Sequence, residues 1–133
     1  MSLAIVDASV LVAFYIADDP RRDAVVTRLN AGDALLAPAH LDAEVVSALR
    51  GVATRSPALD AAVPQALRHL AGFPVRRMPL APLLARMWQL RASVTAYDAA
   101  YVALAEALNA SLITCDARLA STSGPRCRFE LIR

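Results

Sequence analysis

The chain has 133 residues, enough to bury a core without disulfides or a structural metal. It is 57% hydrophobic and 20% charged, with a formal net charge of +2, a composition that excludes a disordered chain. No apolar run approaches the roughly 18 to 20 residues that span a bilayer, and Val10–Ala17 follows an aspartate with no basic residue before it, unlike a signal peptide. One domain covering residues 1–133, in the cytoplasm and away from membranes, is the expectation.

All 14 basic residues are arginine. A phosphate loop of the Walker-A kind needs a lysine. Receiver domains and haloacid-dehalogenase-like phosphatases, which are similar in size and layout, normally rely on one too. The four glycines assemble no G-x-G-x-x-G. Cys115 and Cys127 are expected to be buried free thiols, too few for a structural zinc site. His40 and His69 stand in no metal-ligand spacing and are expected to be structural or exposed.

The chain opens with Leu3-Ala4-Ile5-Val6-Asp7-Ala8-Ser9. Apolar residues at every position, not alternate ones, indicate a strand covered on both faces, as in the middle of a parallel sheet. Such sheets carry their chemistry beyond the carboxyl ends of their strands, where Asp7 falls. A short helix is predicted over Ser9–Tyr15 and a second over Arg21–Leu29, with Asp18 and Asp19 at its N-terminus. Ala34–Ala37 reads as a strand ended by Pro38. Leu41–Ala53 is a strongly amphipathic helix with Leu41, Val45, Ala48, Leu49 and Val52 on one stripe. At about 100° per residue, Glu44 lies at the edge of that stripe, whereas Asp42 reads as a first-turn cap.

A further helix is predicted over Leu59–Leu70, with Pro64 in its first turns and Gly72-Phe73-Pro74 closing it. Val75–Met78 suits an edge strand, because Arg76 and Arg77 discourage further pairing. Pro82 opens a helix running to about Ala92, on which Trp88 reads as a core or interface side chain. Another helix covers Ala96–Asn109. Ser111–Asp116 repeats the opening pattern of an apolar strand ending in a hydroxyl and an aspartate. A helical turn at Arg118–Ala120, a polar loop at Ser121–Pro125 and a last strand at Phe129–Ile132 complete the chain. The alternation predicts an α/β fold, a three-layer α/β/α sandwich around a mainly parallel sheet.

The helix Ala96–Asn109 holds an anomaly. Asp98 shares an arc with Tyr101, Val102, Leu104, Ala105 and Leu108, while Glu106 turns toward solvent. An ionised carboxylate on a core-facing stripe costs several kcal/mol unless it is paired. An arginine such as Arg91 or Arg118, or access to water at the helix top, would relieve it. In a right-handed doubly wound sheet, however, Asp7, Glu44, Asp98 and Asp116 reach the same edge. Four acids meeting there repel one another unless a divalent cation holds them. Carboxylate oxygens without histidine or thiolate select magnesium or manganese over zinc.

Four segments carry a resemblance to a known family. They are Val6-Asp7-Ala8-Ser9; Glu44 within Ala43–Leu49; Thr95-Ala96-Tyr97-Asp98-Ala99-Ala100-Tyr101-Val102-Ala103-Leu104-Ala105; and Leu112–Leu119. In order and spacing the chain resembles the PIN domain, and within it the VapC-type toxins of bacterial toxin–antitoxin pairs. The resemblance implies the sandwich fold with the first and fourth strands adjacent at its centre. It also implies a metal-dependent ribonuclease, often cutting structured RNA such as tRNA. The catalytic acids it implies are Asp7, Glu44, Asp98 and Asp116, with Asp7, Asp98 and Asp116 holding Mg2+ or Mn2+. Ser9 and Thr114 match the supporting hydroxyl positions. A homodimer and a small antitoxin partner are implied as well.

Charge fits an RNA substrate loosely. Setting the four acids aside leaves 14 arginines against 8 acids, or +6 outside the site. Arginine suits phosphate contacts, and Arg21, Arg22 and Arg118 lie where they could rim the acidic edge. Two other functions fit the same residues. One is a module that captures a partner's arginine in its acidic pocket and acts through an antitoxin complex. The other is an RNA-processing nuclease that is no toxin.

Overall fold

The computed structural model describes residues 2–133. Its sheet has five strands in the order β3-β2-β1-β4-β5, every neighbouring pair parallel. The strands are β1 (Leu3–Val6), β2 (Ala34–Pro38), β3 (Val75–Met78), β4 (Ser111–Thr114) and β5 (Phe129–Leu131). The central pair is as expected: Ala4, Ile5 and Val6 of β1 stand in register with Ser111, Leu112 and Ile113 of β4. Ala4, Ile5, Val6, Leu112 and Ile113 are all buried, which is why these strands show no polar alternation. β3 is an edge strand.

The helices are α1 (Ala8–Tyr15), α2 (Arg22–Leu29), α3 (Leu41–Ala53), α4 (Pro57–Ala71), α5 (Leu84–Gln89), α6 (Ala96–Ala107) and α7 (Ala117–Ser121). α1 packs on α2 and α3, and α3 on α4, while α6 lies across β1, β2 and β4 and carries α5. Right-handed crossovers put these two groups on opposite faces of the sheet, giving three layers. α6 supplies much of the core: Ala99 to Ala105 are buried without a gap. Full burial of each large apolar side chain there contributes about 1.5–3 kcal/mol. Asn109 ends the segment in the left-handed region (φ 49°), which asparagine tolerates better than most residues.

Several local expectations need correction. α4 starts at Pro57 behind a Ser56 cap, so Pro64 lies about two turns inside the helix. The helix expected from Pro82 to Ala92 is a 3-10 turn over Ala81–Leu83 followed by the short α5, which stops at Gln89. Ala48 is exposed and only Leu41, Val45 and Leu49 form the buried stripe of α3. Asp42 caps nothing; it pairs with Arg77 of β3 at 3.0 Å and ties α3 to the sheet edge. Glu106 does not turn to solvent, because Arg86 reaches it at 2.7 Å and the Arg126 N–H donates to it. Trp88 is 67% exposed, so it is no core residue.

Candidate active site

Asp7 stands directly after β1 and Asp116 two residues beyond β4, at the point where strand order reverses and crossovers leave in opposite directions. The Asp7 N–H donates to the Ile113 carbonyl at 3.2 Å, pinning the end of one strand to the other. Each aspartate also caps the helix after it. Asp7 Oδ1 accepts from the Val10 N–H, and Asp116 Oδ1 from the N–H groups of Arg118 and Leu119.

Asp7 is only 4% exposed and is held on both oxygens. Ser9 Oγ donates to Oδ1 and Thr114 Oγ1 to Oδ2, each at 2.5 Å. Ser9 Oγ in turn accepts the Cys115 N–H, and Thr114 Oγ1 the Asp116 N–H. The two hydroxyls therefore lock β1 to β4 around one carboxylate. Burial pushes the Asp7 carboxyl up to about 6, against the hydrogen bonds of Ser9, Thr114 and Val10 and with a further push from Asp98.

Asp98 sits in the first turn of α6, where Thr95 Oγ1 accepts its N–H. Burial raises its carboxyl, and the charges of Glu44 and Asp116 raise it further. It lines a cleft of about 460 Å³ with Asp116, and Arg91 and Arg118 stand in the same wall. Neither arginine forms an ion pair with it among the described residues; Arg118 lowers it only through its charge, and burial still leaves the carboxyl raised. The cleft wall at Ser93 is pressed by Gly124, where an added Cβ would come within 2.8 Å of Ser93 Oγ.

Glu44 approaches from the first turn of α3 and lines a neighbouring cleft of about 530 Å³ with His40 and Tyr97. Its Oε1 accepts the Tyr101 O–H at 2.6 Å and faces His40 Nε2 at 3.3 Å. The site acids thus share one edge and influence one another's charge. Among the described residues, no three His, Cys, Asp or Glu side chains already stand close enough to hold one ion.

Of the arginines expected at the rim, Arg118 lines the cleft. Arg21 is engaged with Asp19 at 2.9 Å and reaches the Cys115 carbonyl at 3.5 Å. Arg22 donates to the Phe14 carbonyl and stacks on the Phe14 ring. Both cysteines are free and half-buried rather than fully buried, and burial raises their thiols, Cys127 to about 11. Sequence reasoning missed two residues. Tyr101 looked like plain core and His40 like an isolated histidine, although the i, i+4 spacing of His40 and Glu44 was there to find.

A parallel sheet whose switch point gathers acids from two strand ends and two helix starts is the arrangement of the PIN domain. The PIN domain family model matches residues 4–125, and the chain belongs to that family. It is 41% identical over 130 residues to Ribonuclease VapC12 of Mycobacterium tuberculosis, a match covering 98% of this chain and 99% of that one. It is 38% identical, again over 130 residues, to Ribonuclease VapC9 of the same organism, covering 98% of each chain. Among solved structures, the sarcin-ricin loop cleaving toxin VapC20 of Mycobacterium tuberculosis shares the fold. Its TM-score is 0.66 at 19% identity, over 89% of this chain and 93% of that one.

Proposed function

We propose that this protein is a metal-dependent endoribonuclease and the toxin of a toxin–antitoxin pair, with Asp7, Glu44, Asp98 and Asp116 as its catalytic acids. The observation that carries the reading is a cleft lined by Asp98 and Asp116 with Arg91 and Arg118 in its wall, where Glu44 and Asp116 raise the Asp98 carboxyl. Full-length similarity to VapC ribonucleases supports the substrate class. Asp98, raised in part by Glu44 and Asp116, marks a site where added positive charge would be stabilising.

Asp7, Asp98 and Asp116 would hold the cation, and their oxygen-only chemistry fits magnesium or manganese. When bound, such an ion supplies a hydroxide at neutral pH and neutralises charge on the scissile phosphate. The chain's own groups do the rest. Ser9 and Thr114 keep the Asp7 carboxylate in one orientation. Asp98 and Asp116 line the cleft, and one or the other helps to orient the attacking water for in-line displacement. Arg91 and Arg118, in the same wall, suit contacts to the RNA phosphates. The products are a 3′-hydroxyl and a 5′-phosphate.

The homodimer, the small antitoxin and a tRNA-like target belong to the same reading, as does the cytoplasm, where free thiols persist. No helix of the described residues is long and apolar enough to cross a membrane. The test is cleavage of total cellular RNA by purified protein with magnesium, together with mapping of 5′ ends. Defined new ends, their loss in EDTA and growth arrest relieved by a short neighbouring gene are expected. Equal cleavage in EDTA would sink the metal mechanism, and growth arrest by a variant lacking all four acids would point to the partner-capturing module.

A further inference from the structure

Glu44 differs from the other site acids in how it is held. Two groups meet at a single oxygen: Tyr101 Oη donates to Oε1 at 2.6 Å, and His40 Nε2 stands 3.3 Å from the same atom. Oε2 takes no hydrogen bond among the described residues, and it is not a buried orphan, so it is open to the neighbouring cleft.

The histidine is itself constrained. Nε2 also lies 3.0 Å from the Tyr97 carbonyl, which can only accept, so Nε2 carries a proton. Nδ1 is buried without a partner, the one such side-chain atom among the described residues. A proton there would have no acceptor, so the Nε2–H tautomer is the one the surroundings favour. The His40 ring stands 4.9 Å from the Tyr101 ring, centroid to centroid. Tyr101 is 1% exposed and cannot turn away. Its hydroxyl sits among the carboxylates, with Glu44, Asp7 and Asp98 all opposing its ionisation, so it remains a donor.

We infer that Tyr101, backed by His40 beside the same oxygen, is a positioning residue that clamps Oε1 of Glu44 and thereby presents Oε2, as a free acceptor, to the RNA or its attacking water. Glu44 then works beside the ligands Asp7, Asp98 and Asp116 and not among them. Burial pushes the Glu44 carboxyl up, but the neighbouring His40 and the Tyr101 hydroxyl outweigh it and hold it below its ordinary value. The groups facing Glu44 are His40 from the start of α3 and Tyr101 and Asp98 from α6.

The proposal rests on the ribonuclease reading, and its test separates the two. Tyr101→Phe removes one oxygen and keeps the ring. His40→Gln keeps a donor near Nε2, whereas His40→Leu removes it. In protein labelled at glutamate carboxyl carbons, the Glu44 resonance should titrate at higher pH in Tyr101→Phe and His40→Leu, and return toward wild type in His40→Gln. With total tRNA and magnesium, Tyr101→Phe should lower kcat about tenfold with KM unchanged, the scale seen when outer-shell partners are removed. An unshifted Glu44 titration overturns the clamp, whether or not activity falls. A shifted titration with wild-type kcat overturns the catalytic role. Wild-type protein that cuts no RNA overturns the ribonuclease reading and leaves the titration to judge the clamp alone.

Discussion

β1 and β4 carry the same message and the fold uses it in two ways. Both are apolar strands running into an aspartate that caps the next helix. Yet Asp7 is nearly sealed, with both oxygens occupied, whereas Asp116 keeps partial exposure and lines the open cleft. The difference lies in the helix that each strand leads into. α1 has 8 residues and buries Val10, Leu11 and Ala13, closing over Asp7. α7 has 5 residues and buries Leu119 alone, leaving Asp116 uncovered on one side. The hydroxyls deepen the contrast, because Thr114 of β4 donates across to Asp7 and not to its own aspartate. One carboxylate is held and the other is offered.

Removing the held charge should give the largest effects, and of opposite sign for activity and stability. Asp7→Asn keeps an acceptor for the Val10 N–H but loses the anion, so RNA cleavage should fall by at least roughly 10²-fold. Stability should rise. The Asp7 carboxyl goes from 3.8 to about 6 on folding, so the folded protein holds its proton more tightly than the unfolded chain. The stability this proton brings is full below 3.8 and is lost as pH rises through about 6. At pH 8 the wild type therefore lacks on the order of 2–3 kcal/mol that the neutral asparagine escapes. Thermal melts across pH should show the variant more stable above that window and the gap closing in acid. Magnesium should raise the wild-type Tm and leave the variant unmoved. A variant less stable than wild type at pH 8 would mean that Asp7 is held for the fold and not for charge.

Much of this contrast was legible beforehand, and the reason is periodicity. Strands buried on both faces leave unbroken apolar runs, so β1 and β4 and the acids at their ends could be read directly. Asp98 was legible because a carboxylate inside the arc of Tyr101, Leu104 and Ala105 contradicts the pattern around it. What stayed hidden depends on contacts far apart in sequence. Tyr101 meets Glu44 across 57 residues. No local pattern separates a core tyrosine from one whose hydroxyl has work to do. The same limit explains Asp42 and Glu106. Their positions suggested a cap and a solvated face, but Arg77 and Arg86 arrive from other elements and claim them.

The hydroxyls sharpen the comparison at a smaller scale. Thr114→Val keeps the shape of a fully buried side chain while removing the donor to Asp7 and the acceptor of the Asp116 N–H. Loss of these bonds should cost about 1–3 kcal/mol. With one donor fewer, the Asp7 carboxyl should rise above about 6, and the acid limb of cleavage should move to higher pH with it. Ser9→Ala should act in the same direction, because Ser9 Oγ donates to the other oxygen of Asp7. Activity recovering as pH is raised distinguishes this from general damage. An acid limb that stays in place in both variants would mean that another carboxylate governs it.

The offered aspartate should matter least to the fold. Asp116→Asn retains a side-chain oxygen for the N–H groups of Arg118 and Leu119, so the Tm should barely move. Asp116→Ala removes that cap and should cost about 1 kcal/mol, because the first turn of α7 loses its acceptor. Cleavage should be abolished in both. The pair therefore separates capping from chemistry at one residue, which Asp7 does not permit, since there the cap, the burial and the charge change together. A clear gain in stability for Asp116→Asn above neutral pH, of the kind expected at Asp7, would mean that this carboxylate is held as tightly as its counterpart and that the two strand ends are equivalent after all.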